Sequence, residues 1–344
     1  MLALLFLTVT SAVAYDGGRE TLVVTSTNSA GGNEVVVFQL STQGTPALNL
    51  VTMVPTGGAG GAGGNGGSVQ FAGEFGAVAN YGSASVTQLF RINDYIGIGR
   101  TINLAAGCTN PVSVALSQNQ LFAVGANCIE SHLWPWGGVD GAVVHIADSS
   151  AGQIAVGQSW AAVTLKSGSV LQLPLTAFGA LAGSSTAVTL PADANNTPLG
   201  AAFWGNILGF NPAHSADSFA LVNANGDVFA VTGPAPAFPS NAPCWLAKGA
   251  GNIWYSGNSP GAAVSIFFSD GEGGVFYKSV PVAGTPTDIT VSPDGQWLAV
   301  IYVAADGSGG RIGVFSIDAY GDLTLAATSS PLGIPGFNGV AISQ

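Results

Sequence analysis

The chain has 344 residues, with 7 Lys or Arg against 18 Asp or Glu, a formal net charge of −11. Only 7% of positions are charged and 50 are Gly, where ordinary usage is about 25% charged and about 7% Gly. Seven scattered cations cannot build the basic stripe a nucleic acid needs, an apolar share of 47% argues against disorder, and scarce Glu, Lys and Arg argue against a helical fold.

Residues 1–14, MLALLFLTVTSAVA, carry an apolar run from Leu2 to Val9 and the small-x-small triplet Ala12-Val13-Ala14, followed by polar YDGGRE. This is the form of a secretory signal peptide, with a mature chain starting at Tyr15; the alternative is a buried N-terminal strand. No later run approaches the ~20 unbroken apolar residues that cross a bilayer, so no membrane partner is expected.

From Tyr15 onward, short apolar-alternating runs are punctuated by Gly, Asn, Asp and Ser, which is strand-and-turn chemistry. TLVVTSTN, EVVVFQL and LVTMVPT come first. A Gly-rich stretch follows, in which Gly58 to Gly63 fits G-x-G-x-x-G. With no helix after it, it reads as a flexible connection and not as a dinucleotide site. GSVQFAGEFGAVANYG opens a new unit near Gly67, and NPVSVALSQNQLFAVG another near Asn110. Cys108 and Cys128 flank that second segment. A hairpin there brings their Cα atoms within the ~4.4–6.8 Å a disulfide requires, and we expect the bridge. Cys244 is left unpaired, as a small buried hydrophobe or a reactive thiol.

Further units begin near Gln158, Pro198 and NAPCWLAK, the last continuing through NIWYSG, AVSIFFSD and GGVFYKSV. Asn195-Asn196-Thr197 is a glycosylation sequon in a polar stretch, with Asn195 as acceptor. Gly257 to Gly261 fits G-x-S-x-G, but Pro260 follows the Ser and a strand comes next, so no nucleophile elbow forms. The last full unit is the clearest: TDITVS, the turn SPDG, QWLAVIYV, RIGVFSID, the turn AYGD and LTLAATSS.

The spacing of roughly 40–50 residues is that of a four-stranded propeller blade. The N-terminal unit lacks a first strand, and FNGVAISQ at the C-terminus is a first strand with nothing after it. Joined, they complete one blade and bring the count to seven. The expected fold is therefore an all-β seven-bladed propeller over residues 15–344, its first blade closed by the C-terminal strand, which removes the seam.

The segment from Thr285 to Ser330 resembles a blade of the lactonase-type seven-bladed propellers, which include bacterial 6-phosphogluconolactonase and fungal carboxymuconate lactonizing enzyme. The resemblance rests on Pro293-Asp294-Gly295, Phe315-Ser316-Ile317-Asp318 and Gly321-Asp322-Leu323, and is echoed by VVVFQLSTQGTPALNLV near Val35. The export signal and Gly-rich, Lys-poor composition further resemble fungal extracellular members. The resemblance implies a substrate funnel at one end of the axis, walled by the loops entering the innermost strands and those joining second to third strands. In that family Arg meets a substrate anion and His or Glu moves protons. A Pro-Arg-His at an inner-strand start has no counterpart near Gln158 or Pro198. The arginines Arg19, Arg91, Arg100 and Arg311 fall near the mature terminus or on third and fourth strands.

One segment stands out: Cys128 to Gly141, CIESHLWPWGGVDG, read as a loop between the second and third strands of the third blade. His132, Glu130 and Asp140 are the candidate acid–base set, and Trp134 and Trp136 can stack on a sugar face. The alternative is a lid whose Trp rings pack on neighbouring blades. Gln70, Asn110, Ser159, Asp288 and Asn338 sit at inner-strand starts and can point into the channel as ligand contacts. Trp160 and Trp245 are read as inner-strand packing residues, His145 as structural, and His214, with Asp217 nearby, as a surface loop residue. No metal spacing is present and no cofactor is expected.

The function expected is an extracellular, monomeric protein that opens a sugar-acid lactone or interconverts a muconate and its lactone. The alternatives are a silent propeller binding a carbohydrate or other small ligand, and a cell-surface interaction protein. Low charge gives little long-range steering of an anion and favours a neutral ligand.

Overall fold

A computed structural model describes residues 19–117, 119–135, 138, 140–214, 218–232 and 242–344; the proposed leader lies outside them. Seven antiparallel sheets of four strands each form the blades of a propeller. The innermost strands, taken from the first blade to the seventh, are Asn338–Ser343, Val69–Ala72, Ser113–Leu116, Ala151–Val156, Pro198–Trp204, Pro243–Lys248 and Gly284–Val291. Each packs against the next, and the last returns to the first, so the ring is closed.

Closure is made by the two ends of the chain. Asn338–Ser343 pairs with Thr21–Ser26 in register Val23↔Ile342, Val24↔Ala341 and Thr25↔Val340. The Thr25 hydroxyl donates to the Gly339 carbonyl (2.6 Å) and the Ser26 hydroxyl to that of Asn338 (2.8 Å). The buried Arg91 guanidinium donates to the Glu20 carbonyl and the Ser343 hydroxyl, tying both ends to the second blade. Gly339 has φ +71°, and a Cβ there would lie 2.3 Å from the Val69 backbone nitrogen, so only glycine lets these two innermost strands approach so closely.

Each sheet is buried on both faces, which is why its middle strands read as nearly continuous apolar runs. Along the first blade, Val23, Val36 and Phe38 face the seventh blade, whereas Leu22, Val24, Val35 and Val37 face the second. That is period-2 alternation with both faces apolar. Each such side chain contributes about 1.5–3 kcal/mol of transfer free energy. Outer strands lack a covering layer on one side, and Val275, Tyr277 and Leu325 stand in solvent there.

Several expectations are corrected. Residues Cys128–Leu133 are not a loop but the third strand of the third blade, paired with Gln120–Val124 in register Glu130↔Ala123 and His132↔Leu121. CIESHL packs between two neighbouring blades, and ladder bonding on both sides satisfies a backbone that a buried loop would leave unpaired. The fourth blade begins at Ala151, not near Gln158. Trp160 therefore opens a second strand, and Ser159 lies in the turn between first and second strands, at the end away from the expected funnel. The Cys108–Cys128 disulfide is present, with Cα atoms 5.6 Å apart. It ties the connection entering the third blade to that blade's third strand, not the two ends of a hairpin.

Candidate functional site

The end of the axis where the innermost strands begin, here the mouth, gathers the connections between blades and the turns from second to third strands. The stretch from Gly57 to Ser68 was expected to be a flexible connection. It is a fixed strap over this mouth. Asn28, at φ 52°, takes the Gly61 and Ala62 amides on its side-chain oxygen (2.8 and 3.0 Å) and donates to the Ala62 carbonyl (2.6 Å). Asn33 N donates to Gly58 O and Gly60 N to Ser29 O. Farther along, Asn65 donates to the Val112 carbonyl, and the Gly67 carbonyl accepts from Val114 N (2.9 Å). A Cβ on Gly66 would sit 2.5 Å from the Gln153 side-chain oxygen and 3.3 Å from the Trp245 ring. The strap thus reaches side chains of the fourth and sixth blades, and its glycines make that approach possible.

Beneath the strap is Asp288, 4% exposed. Its carboxylate accepts from Gly67 N and Ile289 N (both 2.9 Å) and from the Val340 amide. Burial pushes its pKa up to about 7, despite the three amides that favour the charged form. Asp288 therefore clasps the strap, the seventh blade and the closing strand together.

Above the strap lies a cleft of about 760 Å³ between the first, sixth and seventh blades. Its walls include Met53, Trp245, Ile334, Pro335 and Phe337; its polar lining includes Thr27, Asn28, Asn65, Thr287 and Asn338. Among the described residues lining it, Glu34 is the one that ionises. Trp245 is locked by donating its indole N–H to the Ser259 hydroxyl (3.1 Å) and the Pro286 carbonyl (2.9 Å). Asn65 is 1% exposed, and its side-chain oxygen has no hydrogen-bond partner among the described residues. A buried acceptor left bare costs about 1–3 kcal/mol unless a ligand or water donates to it. Lys166 reaches the strap at the Gly64 carbonyl (3.2 Å) and does not line the cleft.

The residues singled out in sequence separate into three places. Asn338 and Trp245 line the cleft, and Asp288 is the clasp below it. Gln70 lines a narrower axial channel of about 240 Å³ beyond the strap, together with Gln153, Thr290 and Lys248. Burial lowers the Lys248 pKa to about 8, and its ammonium donates to the carbonyls of Gly249, Gly251 and Ile253. Asn110, at φ 52°, donates to the Tyr81 carbonyl (3.3 Å) in the connection between the second and third blades.

The acid–base candidates lie elsewhere, in the seam between the second and third blades. Glu130 and His132 are 0% and 1% exposed, with carboxylate and imidazole 3.2 Å apart. Glu130 also accepts from Ala105 N (2.9 Å), pinning the connection that carries Cys108. Trp134 continues the same face of the segment and meets Phe75 of the second blade edge-on, ring centroids 5.7 Å apart. Asp140 accepts from the Gln120 amide, and its carbonyl takes the Ser131 hydroxyl. Trp136 lies outside the described residues, as does Asp217. His145 is exposed on the outermost strand of the third blade, and His214 shares a hydrogen bond with Thr197 (2.8 Å) in the loop that carries exposed Asn195. Cys244 is buried and bonds to the Ala242 carbonyl; burial raises its pKa, which disfavours the thiolate.

Sequence reasoning missed Asn28, Glu34 and Asn65. Asn65 had a visible signal, as the one amide within a run of Gly and Ala. Among the described residues no cluster of His, Cys, Asp or Glu can hold a metal ion, and no helix is long and apolar enough to cross a membrane.

No protein-family profile matches the chain, and no curated protein does. Solved structures do match. A provisionally assigned 6-phosphogluconolactonase from Bacteroides fragilis superposes with a TM-score of 0.69 at 13% identity, covering 96% of this chain and 99% of that one. One from Bacteroides uniformis gives 0.65 at 15% identity, covering 89% and 95%. A streptogramin B lyase gives 0.61 at 15% identity, covering 80% and 86%. At such identity the likeness establishes the seven-bladed propeller fold that this chain shares with them.

Proposed function

We propose that the propeller takes a small, uncharged lactone in the mouth cleft and opens its ring. The observation that carries this reading is the cleft lining itself, with the amides of Asn28, Asn65 and Asn338 set between the Trp245 and Phe337 walls. Such a lining fits a hydroxyl-bearing ring, with an apolar edge against the aromatics and its hydroxyls paired with the amides. Lys, Arg and His are absent from the lining residues, which favours an uncharged sugar-acid lactone over a muconate, whose carboxylates need a cation.

Glu34 is the group placed to activate water. Water oxygen bonds to the lactone carbonyl carbon as Glu34 takes a water proton. The ring C–O bond then breaks, and the departing oxygen takes the proton, leaving an open hydroxy acid. Structural neighbours named as lactonases support this chemistry class. The disulfide supports an exported, extracellular protein, and exposed Asn195 in its sequon supports a glycan at that position. We take the protein to act as a monomer without a cofactor.

The second reading, binding without turnover, is favoured by the presence of a single ionisable lining residue. Proton release over a panel of uncharged aldonolactones separates the two. Saturable turnover, lost in Glu34→Gln, supports the enzyme; saturable binding without proton release supports the silent binder. Neither response, with a partner captured from culture fluid or cell wall, leaves a cell-surface interaction protein.

A further inference from the structure

The opposite end of the axis, where the innermost strands finish, carries a second and separate cavity. A groove of about 750 Å³ runs from the third blade past the fourth to the fifth. It meets a pocket of about 320 Å³ beneath Phe75 and Trp134 of the second and third blades, with Leu116 and Ser117 shared by both.

Its lining has an unusual chemistry. Among the described residues lining either part, none is charged. Phe178 stands 83% exposed at a loop tip, and Phe203 lies across from it with its ring braced edge-on by Trp160, centroids 4.7 Å apart. The Phe178 loop is a built turn. Thr176 N donates to Ala180 O (2.7 Å), Gly179 N to Thr176 O (2.9 Å), and Ala180 N to the Thr176 hydroxyl (3.2 Å). A phenyl ring is thereby held largely in water by organised backbone. Asn119 and Gln158 add amides, and Ser117 adds a hydroxyl, along the same groove.

Aromatic faces spaced along an open groove, flanked by neutral amides and hydroxyls and free of charge, match one ligand chemistry. A sugar ring offers an apolar C–H face to stack on an aromatic ring and hydroxyls that pair with amides. An extended chain of sugars repeats this at each unit. An anionic lipid surface would call for cationic groups to meet its headgroups. We propose that this groove binds a neutral oligosaccharide, independently of the mouth cleft and of whatever the cleft turns over.

The test is calorimetric titration of the whole protein with hexasaccharides of β-1,3-glucose, β-1,4-glucose, β-1,4-N-acetylglucosamine and α-mannose. At least one should bind saturably. Phe178→Ala should weaken it by about tenfold, the size of one aromatic contact, and Phe178→Trp should restore it. Phe178 is exposed, so thermal unfolding of the Ala variant should match the parent and exclude a folding artefact. Binding should be indifferent to a lactone analogue in the mouth. The proposal is overturned if no hexasaccharide binds, or if Phe178→Ala binds as the parent does. It is also overturned if sedimentation shows the parent dimeric and the Ala variant monomeric, since a second copy would then be what covers the ring.

Discussion

The mouth cleft and the seam between the second and third blades present opposite faces of the same composition. The seam holds the residues that chemistry usually employs, a carboxylate and an imidazole 3.2 Å apart beside a tryptophan, yet both groups are at most 1% exposed. The cleft holds amides, a tryptophan and one carboxylate, and it is open. In a chain with 7% charged residues, a Glu and a His can serve as a buried fastener where a blade edge needs pinning, while the open cleft is lined largely by neutral groups, some of them on a glycine strap. Residue type alone did not separate these uses; burial does.

That contrast can be broken by substitution. The largest effect expected is at the cleft. Glu34→Gln should lower lactone turnover by roughly 10²–10⁴-fold while leaving binding and thermal stability near the parent values. Unchanged turnover, measured by proton release, would remove Glu34 from the chemistry. At the seam the expectation is reversed. His132→Ala removes the polar side chain 3.2 Å from the buried Glu130 carboxylate and should cost about 1–3 kcal/mol of stability in a denaturant titration. The folded fraction should still turn over lactone at the parent rate per molecule. A stable His132→Ala protein that is catalytically dead would move the site to the seam.

The smallest effect concerns the clasp under the strap. The Asp288 carboxyl is raised from its ordinary 3.8 to about 7, so the folded state holds its proton more tightly than the unfolded chain. Its contribution to stability is complete below about pH 4, declines as pH rises to about 7, and is level above that. Asp288→Asn should abolish this decline, on the order of a few kcal/mol across the window. Melting temperatures at pH 4.5 and 7.5 for both proteins report it. Parallel pH dependence in the two would show that the group does not titrate there.

Much of the architecture could be read from the residues. The blade period, the seven units and the closure by residues 338–343 follow from turn chemistry and from a first strand stranded at the far terminus. The misassigned start of the fourth blade has a plain cause. AGQIAV, the innermost strand there, opens on Ala-Gly-Gln as a turn would, while WAAVTL, of the same length, is the stronger strand signal. The site was less legible. Asn338 and Asp288 were picked out because inner-strand starts converge on the axis, and both lie at the mouth. Asn65 and Asn28 were not, because a glycine run reads as slack chain until its long-range partners are known, 34 residues away for Ala62 and 221 for Asp288. CIESHL was misread because a strand buried on both faces can carry polar residues when a neighbouring blade supplies their partners.

The most direct test of the account is hydrogen–deuterium exchange with a saturating aldonolactam, an analogue whose ring the protein cannot open. The account predicts slowed exchange confined to residues 27–34, 62–65 and 334–338 around the mouth. Protection centred instead on residues 128–145, with the mouth unchanged, would contradict it.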